Sequence, residues 1–83
     1  MKQPTKEEIS KNIDLVLKNY VSREEICEWA INYIRQEDQV DIDDMEAWHF
    51  LVAISNIDEM IAPDIYLFGK EDIQIIVKKY CQS

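Results

Sequence analysis

The residues able to do chemistry are few, and their spacing limits what that chemistry can be. Glu46 and His49 form one E-x-x-H pair, which di-iron helix bundles use twice, together with further glutamates on other helices. A single copy does not make such a centre. The run "DQVDIDDME", Asp38 to Glu46, has the carboxylate density of a calcium loop. It lacks the DxDxDG core and the closing glutamate that complete the ligand set, so no specific metal site is expected. Cys27 and Cys81 belong to no CxxC or Cys/His cluster, and His49 is the only histidine available as a base for either thiol. Two free thiols suit a reducing compartment. There is no glycine-rich phosphate loop and no nucleophile elbow. The sequence therefore predicts no catalytic residue, no metal and no cofactor, and a protein that is not an enzyme.

If the chain acts by binding, its helices must build the surface. At 83 residues the sequence supports one domain, which at this size buries about 60% of its unfolded surface. A hydrophobic content of 47% with one Gly and two Pro points to packed helices, away from both disorder and a many-stranded sheet. Thr5 with Glu8 makes a capping box, followed at helical spacing by Ile9, Ile13, Val16, Leu17 and Tyr20, which predicts a helix over residues 5–20. Ser22 with Glu25 repeats the device ahead of Ile26, Trp29, Ala30, Tyr33 and Ile34, for a second helix over 22–37 and a link of about one residue. A third helix starts at Asp41 or Asp43, and its apolar residues, from Met45 to Ile57, occupy nearly every face, as in the buried centre of a domain. The last helix begins near Gly69 to Glu71 and carries Ile73, Ile76, Val77 and Tyr80.

The expected fold is thus all-α: a compact bundle of four helices in a single domain spanning 1–83, with a short irregular or single-turn segment before the last helix. Roughly three quarters of the residues should be helical and no strand is expected. Trp29 and Trp48 should anchor the core, and His49 should be partly buried and hydrogen-bonded. No stretch approaches the ~18 uncharged apolar residues of a membrane span, and the N-terminus shows no apolar signal region, so a cytoplasmic protein without membrane contact is expected.

Between the third and fourth helices lies the most hydrophobic tetrapeptide of the chain, Ile65-Tyr66-Leu67-Phe68. Pro63 disfavours helical geometry at Ala62, and Pro63 with Asp64 could open one helical turn. On that turn Ile65 and Phe68 would share one side and fill the gap between the helices, leaving Tyr66 wet. A tyrosine there can bury its ring against a partner while its hydroxyl finds a hydrogen bond.

Charge is the strongest functional signal. Residues 24–69 hold twelve acids and one base, a net charge of −11, whereas residues 1–23 sum to +2 and 70–83 to +1. The run Glu37 to Glu46 has six acids and no base. Such density repels nucleic acid and suits a basic protein partner approached by electrostatic steering. The candidate partner-binding residues are Glu37, Asp38, Asp41, Asp43, Asp44, Glu46, Asp58, Glu59, Asp64 and Tyr66.

The element "PDIYLF" before the last helix, on a small acidic all-α chain with capped helices, resembles the bacterial immunity proteins of the colicin type. That resemblance implies an inhibitor of a basic, nucleic-acid-cleaving toxin, with Tyr66 on a short helix and nearby acids making the contact. The chain departs from the family in having three long helices before the tetrapeptide and Leu67 where a second tyrosine would stand. The reading at this point is a monomeric, non-enzymatic acidic protein that neutralises a basic toxin or nuclease and does not touch nucleic acid. The alternative is a small regulatory adaptor or homodimeric module using the apolar third helix.

Overall fold

Three capping side chains start three of the helices. In the computed structural model, which describes residues 2–63 and 65–81, Thr5 Oγ1 accepts from the Glu8 amide at 3.1 Å and opens α1 (Lys6–Leu17). Ser22 Oγ accepts from Glu25 at 3.1 Å and opens α2 (Arg23–Arg35). Asp44 Oδ1 accepts from Ala47 at 3.1 Å and opens α3 (Met45–Ile54). These bonds satisfy amide donors that the first turn leaves without partners. The fourth helix, α4 (Lys70–Cys81), begins after Gly69, whose amide donates to Asp72 Oδ2 at 2.9 Å.

The helices are shorter than the periodicity suggests. α1 stops at Leu17 because Asn19 takes a left-handed conformation, φ 64°. The Asn19 amide donates to the Val16 carbonyl at 3.0 Å and the Tyr20 amide to that of Leu15 at 2.9 Å, the two bonds of a Schellman cap. Tyr20 is thereby turned off the apolar stripe and left 75% exposed. After α2 a 3-10 turn, Glu37–Gln39, leads through a short extended stretch into α3.

α3 is the centre of the molecule. It packs against α1, α2 and α4, and Ala47, Trp48, Phe50, Leu51 and Ile54 are all buried. Ile9, Ile13 and Val16 of α1, Ile26, Cys27 and Ala30 of α2, and Ile73 of α4 close around it. Phe50 stacks on Tyr80 with centroids 5.5 Å apart and planes 10° from parallel. Trp48 anchors this core directly, while Trp29 is half-buried at its edge, edge-on to Tyr33. His49 faces outward on α3 and is exposed, contrary to expectation.

The clearest departure lies between α3 and α4. A small antiparallel hairpin forms there, β1 (Met60–Ala62) with β2 (Ile65–Tyr66), pairing Met60 with Tyr66 and Ala62 with Ile65 and carrying an irregularity at Ile61. The Leu67 amide extends the ladder to the Glu59 carbonyl at 2.8 Å. Pro63 sits in the turn, where its fixed φ suits the position after the first strand. Side chains therefore alternate instead of following a helical turn. Tyr66 and Phe68 turn inward, whereas Ile65 and Leu67 are 53% and 46% exposed. The expected single helical turn, with Ile65 beside Phe68 in the core, is corrected accordingly.

Candidate functional site

Several of the acids singled out from the sequence are occupied in holding the fold. An N-terminal segment absent from the sequence-based reading lies against the start of α3. Gln3 Oε1 accepts from the Asp43 and Asp44 amides at 2.6 and 2.9 Å, and its Nε2 donates to the Asp44 carbonyl at 2.9 Å. Lys2 forms a parallel bridge with Asp41, and Pro4 is fully buried. The Asp44 carboxylate is the cap of α3, and Glu46 receives Lys6 Nζ at 2.6 Å. Glu37, Asp38, Asp41 and Asp43 are exposed.

The acids do not form one continuous site with the tetrapeptide. α3 separates them, and a helix of 10 residues is about 15 Å long. Glu37 to Glu46 lie at or before its start; Asp58 and Glu59 lie beyond its end, with Asp58 half-buried and Glu59 exposed. Asp64 is outside the described residues. Among the described residues no three His, Cys, Asp or Glu side chains come together as a metal-binding group.

Tyr66 belongs to a cluster that fastens the hairpin to the start of α2. The Arg23 guanidinium lies 4.0 Å from the Tyr66 ring centroid. One of its nitrogens donates to the Ile57 carbonyl at 3.0 Å and also to the Phe68 carbonyl. The Tyr66 hydroxyl donates to Glu24 Oε1 at 3.2 Å. Partial burial and the adjacent Glu24 carboxylate raise its pKa above 10, since both disfavour a phenolate. Arg23 thus covers one face of the Tyr66 ring.

The cations tell a different story from the net charge. Eight of the nine Lys and Arg residues lie in residues 1–23 and 70–83, and the fold packs α1 against α4. Lys6 and Lys11 flank a shallow recess on α1 with Glu7, Ser10 and Asp14. Ser10 also borders an open groove of about 700 Å³ between the two helices, where Lys78 stands. Lys18, paired with Asp14 at 2.9 Å, lies just past the end of α1, and Lys79 lies in the last turn of α4. The boundary with the acidic surface runs through the Lys6–Glu46 ion pair.

A family model described as YxzC DNA-binding protein matches residues 3–80. The chain belongs to this family. A curated relative, an uncharacterized protein YxzC of Bacillus subtilis strain 168, is 29% identical over 75 residues, 90% of this chain and 61% of the relative. The chain thus spans less than two thirds of that relative's length. No solved structure matches it.

Membership of the YxzC family overturns the resemblance to colicin-type immunity proteins, and with it the reading as a toxin or nuclease inhibitor. The physical reason lies in "PDIYLF", which carried the resemblance as a short helix: Pro63 stands in a turn and Ile65–Tyr66 form a strand. The family description also overturns the exclusion of nucleic acid. That exclusion extended the acid density of Glu37 to Glu46 to the whole chain, whereas phosphate contacts are made by a local patch and another face can supply it. The slightly basic termini were visible in the sequence, but their meeting across α1 and α4 was not, because nothing local pairs segments at opposite ends of the chain.

Proposed function

We propose that the chain is a non-enzymatic, cytoplasmic DNA-binding module that meets the duplex with its α1–α4 side. The observation that supports this reading is the segregation of charge. Lys11 and Lys18 of the α1 segment and Lys78 and Lys79 of α4 belong to two elements that pack together, and the YxzC family description supplies DNA as the ligand. Such lysines contact phosphates as point charges and fix register without reading bases. The acids of residues 37–46 serve in this reading as a repulsive border, which restricts the orientations in which the chain can approach a polyanion. Among the described residues no helix is long and apolar enough to cross a membrane.

The test is fluorescence anisotropy with labelled duplex DNA over a salt series. Each phosphate neutralised contributes a slope of about −0.9 in log affinity against log salt. Lys11→Glu combined with Lys79→Glu is expected to weaken binding at least about tenfold, or roughly 1.4 kcal/mol, while Asp41→Asn with Asp43→Asn leaves it equal or tighter. Absence of salt-dependent binding at low ionic strength would refute the proposal. A second reading, a regulatory adaptor contacting another protein, is favoured by one observation: Met60, Ile61, Ile65 and Leu67 of the hairpin segment are all 46% or more exposed. α3 offers less apolar surface for that role, because five of its ten residues are buried and only Met45 and Val52 are large apolar side chains left exposed.

A further inference from the structure

Glu71, Gln74, Ile75 and Lys78 follow one another at i, i+3, i+4 and i+7 on α4. Residues at that spacing form a single stripe along a helix. Ile75 is 64% exposed, although most other apolar residues of α4 pack inward. The stripe borders the groove of about 700 Å³, whose opposite wall on α1 includes Ser10 and Leu17. An exposed isoleucine beside an apolar-lined groove is a surface that contact would dry.

The order of charges along the stripe determines what fits it. Glu71 and Lys78 stand at its two ends, symmetric about the point between Gln74 and Ile75. If a second α4 is laid antiparallel across a two-fold axis at that point, Glu71 faces Lys78 of the other copy and Gln74 faces Ile75, twice over. A parallel arrangement would set Glu71 on Glu71 and Lys78 on Lys78. The face also lies in the segment of residues 70–83, net +1, so two copies would meet away from the acids that make the whole chain repel itself.

We propose that this stripe is an isologous docking surface for a second copy of the chain, α4 against α4 in antiparallel orientation. Ile75 and Leu17 supply the buried apolar contact, and the two Glu71–Lys78 pairs set direction and register, since exposed ion pairs add little affinity but discriminate between alignments. The inference departs from the monomer expected from the sequence; it uses the same α1–α4 side as the DNA reading, Lys78 included, so it is tested in the absence of DNA.

The experiment is sedimentation equilibrium of the full chain without DNA. The wild-type mass should rise with concentration from 9.9 kDa toward twice that value. Glu71→Lys alone and Lys78→Glu alone place like charges opposite each other and should remain at the single-chain mass. Their equimolar mixture should recover the dimer, because a copy with lysine at both ends of its stripe then faces a copy with glutamate at both ends. Circular dichroism of each variant checks that the helices persist. Should either charge variant unfold, Ile75→Gln supplies the same loss of dimer without touching a charge. A wild-type chain that stays monomeric to millimolar concentration overturns the proposal. So do single variants that dimerise like wild type, a mixture that fails to recover, or a dimer abolished by Ile61→Glu on the hairpin.

Discussion

α3 and the hairpin segment of residues 60–68 are both rich in apolar residues, yet the fold treats them in opposite ways. α3 has neighbours on several sides and buries five of its ten residues. The hairpin has one packed face, so alternation puts Tyr66 and Phe68 inside and Ile65 and Leu67 outside. Apolar content alone does not determine burial. The number of neighbouring elements and the period of the backbone decide how much of it can be covered.

The widest gap between the two regions should appear on truncation. Leu51→Ala, in the middle of α3 and fully buried, is expected to cost about 3 to 5 kcal/mol of stability in chemical denaturation, as core truncations that leave a cavity do. Ile61→Ser on the hairpin should stay within about 0.5 kcal/mol. Similar losses at both positions would erase the distinction.

A second difference is set by pH. Cys27 is buried against α3, its thiol donating to the Ile54 carbonyl at 3.5 Å. Burial, with the nearby Asp58 charge, pushes its pKa up from 9.0 to about 11. Because the folded value lies above the unfolded one, the contribution is complete below pH ~9 and is lost as the pH rises toward about 11. The loss should approach about 3 kcal/mol at most. Melting curves across that window should fall more steeply for the wild type than for Cys27→Ala; parallel curves would show that the thiol ionises freely in the fold.

The third test separates the hairpin from the core. Arg23→Ala removes donors from the Ile57 and Phe68 carbonyls and uncovers Tyr66, with an expected cost of about 2 kcal/mol. Hydrogen exchange should accelerate first at the Leu67 amide, while amides of α3 keep their ranking. Uniform acceleration would mean that the hairpin and the helices open as one unit.

What could be read from the residues follows the same division. Thr5, Ser22 and Asp44 act over three residues, so caps and helix starts were legible. The helical stripes also identified most of the core, including the burial of α3. The hairpin was missed because Pro63-Asp64 suits a helix start and a turn equally, and the alternation of residues 65–68 is too short to outweigh that ambiguity. For the candidate site, the acids were legible as charge but not as partners: Asp44 and Glu46 look alike in sequence, yet one caps a helix and the other binds Lys6. Arg23 gave no local signal, since its acceptors at Ile57 and Phe68 lie 34 and 45 residues away.

The contacts of Gln3 also constrain the order in which the chain can assemble. They join positions 40 and 41 residues apart, enclosing α1 and α2 in the loop they close. Closing so long a loop in an unstructured chain carries an entropic cost for only a few hydrogen bonds. Once α1 and α2 have formed and docked, the flexible span to be closed is much shorter. The clasp is therefore a late event in folding and an early one in unfolding, and it makes the N-terminal residues a latch on the start of the central helix.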